Sequence, residues 1–288
     1  MKIVIIGSGV VGQTTGVSLL QRRHEVIFHD IDKRILQNLE SKGHKVIDDL
    51  SKLRSNPAPS ISMVCVPTPT TDGRMEKRNL ELAIKEIGNF LQRTEQYHVV
   101  VIRSTVLPST TRIQIIPLLE KCSGKNVGKD FGVCINPEFF RQTSALEDSL
   151  HPWRVVIGEY DKRSGDVLEC LYSDLDAPVF RTDLDTAEMI KYVANTFLAT
   201  KISFFNEIYL ICKKLGLDAH LIAKAVAQDP RIGPYGIFGG RPFEGSCLPK
   251  DLEAFISFVS DENMKVRLLK AVQFINRMMK KRSLKGNS

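Results

Sequence analysis

With 288 residues, 43% of them hydrophobic and 25% charged, the chain can build one large core or two ordinary domains and is too apolar for a disordered one. The formal net charge of +7 suits an anionic ligand. The basic residues are scattered, though, and the one dense run, KKRSLK at 280–285, has no aromatic module beside it, so no nucleic-acid partner is expected.

The six cysteines (65, 122, 134, 170, 212 and 247) form no CxxC pair and sit with no histidine cluster, which excludes a zinc-site pattern and favours reduced thiols. Neither a secretory leader pattern nor an apolar run of spanning length is present in the sequence, so a cytoplasmic protein with no membrane partner is expected.

In chain order, KIVIIG reads as a buried strand and VVGQTTGVSLLQRR as a helix. HEVIFHD, ISMVCVP, YHVVVIRS, FGVCIN and RVVIG follow as β-rich runs, with amphipathic stretches such as NLELAIKEIGNFLQR and TTRIQIIPLLEK between several of them. This βαβα rhythm predicts an α/β domain, a doubly wound parallel sheet with helices on both faces. The rhythm ends near Thr182. Asp185 with Glu188 predicts a capping box, and the run to Gly216 then holds no Pro or Gly, which predicts a helix of about 44 Å. It is apolar around most of its circumference, so burial on several sides is expected. The expected organisation is therefore a Rossmann-like domain over 1–182 and an all-helical domain over 183–288, entered by a long central helix.

VIIGSGVVGQTTG carries Gly7, Gly9 and Gly12 in GxGxxG spacing, with Val10 and Val11 inside the turn. The pattern follows a strand and opens a helix, and the second strand ends at Asp30, eighteen residues past Gly12. Together these predict a dinucleotide site with pyrophosphate on the helix N-terminus and Asp30 on the adenosine ribose. Asp30 repels a 2′-phosphate, so NAD is expected over NADP.

Further motifs occur in order along nearly the whole chain: CVPTPTTDG, IRSTVLPST, NPEFFRQTSALED, AEMIKYVANTFLATKISFFNE, DPRIG and GRPFEGSCLPKD. Together they resemble the UDP-glucose/GDP-mannose dehydrogenase family, the nucleotide-sugar 6-dehydrogenases. The resemblance implies a four-electron oxidation at C6 of a nucleotide sugar by two NAD. It sets Pro67 and Thr68 beside the cofactor, with Thr105 and Lys250 near it. It assigns catalysis to Cys247, Lys191, Asn195, Asp251 and Thr105, with Glu138 in a positional role. Arg231, Phe139, Lys250 and Tyr235 fall to substrate binding, Arg231 reaching the partner subunit's substrate in a homodimer built on the long helix.

The chemistry of the residues agrees. Lys191 and Asn195, at i and i+4, project from one helix face and can polarise a C6 oxygen. Asp251 can take or relay its proton. A thiolate from Cys247 can add to the aldehyde, giving a thiohemiacetal and, after the second oxidation, a thioester, with Lys250 favouring the thiolate. Trp153, the single tryptophan, is expected to serve packing.

Three departures from the family pattern stand out. Gln142 replaces a glutamate that activates the hydrolytic water, and an amide cannot accept that proton. Glu244 replaces a glycine three residues before Cys247 and can supply the missing carboxylate. The family's further α/β domain has no counterpart in this sequence, so a short form or a fragment is expected, and a short form needs either a partner chain for the base or a different substrate. Two other readings remain open. One is a two-electron alcohol dehydrogenase of the β-hydroxyacid type, in which Cys247 is dispensable; the other is a non-catalytic NAD-binding regulatory subunit.

Overall fold

The structure, a computed structural model, describes residues 1–53, 60–141 and 143–285. The chain divides into two compact units. The first comprises Met1–Thr68 and Glu76–Lys191, the second Pro69–Met75 and Tyr192–Ser288.

The first unit is built on β1 (Lys2–Ile6), α1 (Val10–Gln21), β2 (Glu25–His29), α2 (Lys33–Ser41), β3 (Lys45–Ile47) and β4 (Ile61–Val64). A short hairpin, β5 (Thr70–Thr71) with β6 (Arg74–Met75), belongs to the second unit. The first unit resumes with α3 (Arg78–Gln92), β7 (His98–Ile102), α4 (Ile116–Ser123), β8 (Phe131–Ile135), α5 (Ala145–Leu150), β9 (Val155–Glu159), α6 (Lys162–Leu171) and β10 (Val179–Asp183).

Its sheet has the order β10-β9-β8-β7-β4-β1-β2-β3. From β3 to β8 all neighbours are parallel, as the βαβα rhythm predicts. β1 is flanked by β2 and β4, so the strand order reverses beside β1, and the carboxyl ends of β1 and β4 form the switch point where such sheets bind ligands. β1, β4, β7 and β8 are almost wholly buried, because helices cover both faces. Ile3, Ile5, Val99, Val101 and Ile157 form the centre of this core.

The last two strands depart from the all-parallel expectation: β9 runs antiparallel to β8, and β10 is parallel to β9. Among the described residues of that link the only helix, α5, has six residues and rises about 9 Å, short of the roughly 16 Å that a five-residue strand spans. It does not carry the chain back along the sheet, so β9 returns beside β8. TTRIQIIPLLEK also divides, into a π-turn over Thr111–Ile115 and then α4. Pro117, at the start of α4, lacks the N–H an unbroken α-helix needs there.

α7 (Leu184–Leu215) has 32 residues and a length of about 48 Å. Its cap lies two residues before the expected one. Asp183 accepts the Thr186 N–H at 2.8 Å and the Thr186 hydroxyl at 2.7 Å. Asp185 pairs instead with Arg112 at 2.6 Å and accepts the Ser109 hydroxyl. Glu188 is 2% exposed and accepts the Thr111 N–H at 2.9 Å, while its other oxygen has no hydrogen bond. Burial, helped by Asp185, pushes its carboxyl up to about 7.

The second unit adds α8 (Ala219–Val226), α9 (Leu248–Asp261) and α10 (Arg267–Lys285). Ala199, Phe243, Leu252, Ile256 and Val272 form a core there. α7 is less buried than its composition suggests: Val193, Phe197, Phe204, Ile211 and Leu215 stand exposed along one stripe. No helix among the described residues is long and apolar enough to cross a membrane.

Two outcomes are expected. Asp183→Ala lowers stability by about 1 kcal/mol in urea unfolding, while Asp183→Asn keeps the cap acceptor and most of that stability. Glu188, raised in the folded state, binds its proton more tightly folded than unfolded, so its contribution is present at acid pH and lost as pH rises through about 7. Glu188→Gln therefore melts higher than wild type at pH 8 and close to it at pH 5.

Candidate active site

The glycine turn is dictated by space. Gly7 has φ +88°, and a Cβ there would meet the Val66 N at 2.8 Å and the Cys65 carbonyl carbon at 2.9 Å. The turn thus runs hard against the end of β4, and only glycine fits. At Gly12 a Cβ would meet the Gly7 oxygen at 2.0 Å, so α1 sits directly on the end of β1.

Gly9 differs: a Cβ there would meet nothing within 4 Å. It is the N-cap of α1, carries no side-chain cap, and no acid stands in the first turn. The free N–H groups of that turn therefore face open space, which suits a pyrophosphate. Val10 is exposed beside it and Val11 packs on the core.

Asp30, half-buried past the end of β2, is oriented by two backbone donors, the Ser8 N–H at 2.7 Å and the Asp32 N–H at 2.9 Å. Each carboxylate oxygen keeps acceptor capacity for a ribose hydroxyl. Ile31, beside it, is 82% exposed and offers an apolar surface. Past β4, Thr68 is buried and its hydroxyl donates to the Thr105 carbonyl at 2.7 Å, tying two candidate residues together; Pro67 is exposed.

The second feature of this unit is a buried ion pair. Lys191, 4% exposed, donates to the Glu138 carboxylate at 2.9 Å and to the Glu138 carbonyl at 2.5 Å. Burial works against a charged Glu138, but the Lys191 ammonium, the Phe140 N–H at 2.8 Å and the nearby Arg103 outweigh it and hold the carboxyl below its usual value. Glu138 thus supplies the polar partner that a lysine in so apolar a helix requires. The Phe139 ring lies 5.3 Å from the Lys191 ammonium and 3.8 Å from the Arg154 guanidinium. Gln142 lies outside the described residues. Trp153 is not a packing residue: it is 59% exposed, with Arg141 stacked on it at 4.9 Å, because the arginine is anchored by Asp148 on α5.

In the second unit Asp251 is 1% exposed and accepts from the Asn195 amide and from the Lys250 ammonium, each at 2.6 Å. Lys250 therefore spends its charge on Asp251 next to it. Cys247 is exposed, with Ser246 Oγ at 3.7 Å, and is the N-cap of α9, whose positive end favours negative charge there. Tyr192 stacks on Phe255 at 5.3 Å, which fixes α9 against α7 near Asp251. α9 has a signal in the sequence: Pro249 in the first turn and apolar Leu252, Phe255, Ile256 and Val259 at i, i+3, i+4 and i+7. Arg231 is exposed and paired with Asp229 at 2.6 Å, and Tyr235 is also exposed. Cys65, just past β4, and Cys134, in β8, are buried, and burial pushes both thiols up to about 12, which leaves them inert.

Residues 1–176 match the model of the UDP-glucose/GDP-mannose dehydrogenase family NAD-binding domain, and residues 185–278 match that family's central domain. GDP-mannose 6-dehydrogenase of Pseudomonas savastanoi pv. phaseolicola is 39% identical over 96% of this chain and 68% of its own length. UDP-glucose 6-dehydrogenase of Haloferax volcanii is 34% identical over 96% of this chain and 69% of its own. Among solved structures, a UDP-glucose dehydrogenase from Pyrobaculum islandicum matches with a TM-score of 0.88 and 32% identity over 96% of this chain and 68% of that one. A GDP-mannose dehydrogenase from Pseudomonas aeruginosa matches at 0.76 and 36%, over 97% and 69%. With a glycine turn and an oriented Asp30 that fit NAD, and relatives named as dehydrogenases, the chain belongs to the UDP-glucose/GDP-mannose dehydrogenase family of NAD-dependent oxidoreductases.

Proposed function

We propose that the protein oxidises the C6 alcohol of a nucleoside-diphosphate hexose to the uronic acid, with Cys247 as covalent nucleophile. The observation that carries this reading is the side-chain set on and against α7. In the first unit a buried Lys191 is ion-paired to Glu138, and in the second Asn195 is bonded to a fully buried Asp251; these supply a cation, an amide donor and a proton acceptor, the groups an alcohol oxidation needs.

NAD, when bound, accepts one hydride in each of two oxidations. Lys191 and Asn195 stabilise the developing C6 alkoxide, and Asp251 receives or relays its proton, assisted by Thr105. Cys247, exposed at the N-terminus of α9, adds to the aldehyde carbon. After the second oxidation the acyl group is a thioester on Cys247; water releases the carboxylate and restores the thiol. Glu138 holds Lys191 in place. Glu244, exposed and three residues before Cys247, is the carboxylate we assign to activating that water in place of Gln142. Phe139, Lys250 and Tyr235 contact the sugar nucleotide, and Arg231 reaches that of a second copy. The exposed apolar stripe of α7 supports a homodimer, since so much apolar surface on one helix favours a partner.

The relatives named for GDP-mannose are 37–40% identical and those named for UDP-glucose 34–36%, so GDP-mannose is the first substrate to test and UDP-glucose the second. With the sugar that wild type turns over, Cys247→Ala is expected to stop at no more than one NADH per active site. Sustained two-NADH turnover by that variant contradicts the covalent reading, whereas sustained one-NADH turnover by wild type and variant alike favours a plain alcohol dehydrogenase. Glu244→Gln is expected to leave the first oxidation intact and slow steady turnover at least tenfold; an unchanged steady rate removes Glu244 from the reaction. Asp30→Ala is expected to raise the KM for NAD on the order of tenfold and narrow the preference over NADP, as loss of the ribose acceptor requires.

A further inference from the structure

We propose that Arg103 is a positioning residue for this oxidation, holding the Asn136–Phe140 turn so that Glu138 meets Lys191 as a charged pair; the inference rests on the function proposed above. Arg103 directly follows β7 and is 6% exposed. Its Nε donates to the Thr15 hydroxyl on α1 at 2.9 Å. Its Nη1 donates to the Asn136 carbonyl at 3.2 Å, to the Asn136 side-chain oxygen, and to the Tyr172 hydroxyl at 3.4 Å. Tyr172, at the C-cap of α6, donates to the same Asn136 oxygen at 2.6 Å.

Asn136 is thereby fixed on every side. Its Nδ2 donates to the Val156 carbonyl at 2.8 Å and its N–H to the Ile102 carbonyl at 2.9 Å. One guanidinium thus ties α1, the ends of β7 and β8, and α6 to the residue that opens the turn bearing Glu138. It also lies 5.1 Å from the Phe140 ring at the other end of that turn. A cavity of about 40 Å³ borders Arg103, Glu138 and Phe140, so shortening the arginine leaves the turn room to shift.

Packing alone does not account for this residue. A buried guanidinium is costly unless its charge is used, and among the described residues its hydrogen bonds reach no carboxylate. The ionisable groups acting on Glu138 are Lys191 from α7, Arg103 from the end of β7, and the Cys65 thiol past β4, which is neutral at physiological pH. Arg103 is therefore a second cation, after the Lys191 ammonium, that favours the ionised Glu138 carboxyl.

The test compares Arg103→Met, Arg103→Lys and Tyr172→Phe with wild type. NADH formation is followed from about pH 5.5 to 9 with whichever sugar nucleotide wild type turns over, alongside thermal melts. Arg103→Met is expected to lower kcat on the order of 100-fold, the scale of a misplaced catalytic group. Its acid limb should move to higher pH, since Glu138 then binds its proton at higher pH and the charged pair is lost there. Arg103→Lys keeps the charge, so its acid limb stays and only kcat falls. Tyr172→Phe removes the hydroxyl's bonds to Asn136 and Arg103 but leaves the guanidinium in place, and should lower kcat several-fold with the limb unmoved. Wild-type kcat and acid limb in Arg103→Met overturn the proposal, as does a loss that merely follows the unfolded fraction with the limb unchanged. If that variant does not fold, wild-type kcat in Tyr172→Phe overturns it. Absence of NADH formation by wild type from either sugar nucleotide removes the proposed function itself, and this inference with it.

Discussion

A lysine that must be buried needs an acid, and the ion pair between Lys191 and Glu138 sets the position of much else. Taking an ammonium and a carboxylate out of water costs several kcal/mol per ion, recovered only with close geometry and further hydrogen bonds. Here both are present: the ammonium reaches the Glu138 carboxylate and its carbonyl, and the carboxylate also accepts the Phe140 N–H. The pair is therefore a placement device more than a source of stability. It ties the turn after β8 to α7 and leaves the lysine little freedom to leave its rotamer. The same logic recurs in the second unit, where Asp251 is tolerated at 1% exposure because an amide and an ammonium each bond it at 2.6 Å.

The cofactor end of the first unit obeys a steric constraint in place of an electrostatic one. Gly7 and Gly12 are needed because backbone lies where a side chain would go, whereas Gly9 is needed because nothing lies there. The first two bring β1, β4 and α1 together, and the third leaves helix N–H groups open for phosphate. Asp30 then stands ready because the loop it bonds is the loop the glycines shape.

Much of this was legible in the sequence, for physical reasons that also explain what was not. Buried strands such as KIVII and HVVVI announce themselves by unbroken apolar runs, and the glycine spacing with Asp30 reads directly. β10 was hidden because VFRTD is a half-exposed edge strand, and the hairpin at 70–75 because two-residue strands carry no periodicity. The helix start slipped by two residues because Asp183 and Asp185 both suit a cap, and only the contact with Arg112 shows that Asp185 is engaged elsewhere. α9 was obscured by the Gly-Ser run before it, although Pro249 and its apolar spacing were present. That Lys191 needed a polar partner follows from its surroundings; that the partner is Glu138, fifty-three residues earlier, is visible only in three dimensions.

The central claim is a double oxidation through a thioester, and the most direct measurement is the number of NADH formed per sugar consumed by wild type, with GDP-mannose and then UDP-glucose supplied in limiting amount under excess NAD. The account predicts two NADH per sugar, with the uronic acid as product. One NADH per sugar with an aldehyde released would contradict it and leave Cys247 without a chemical role.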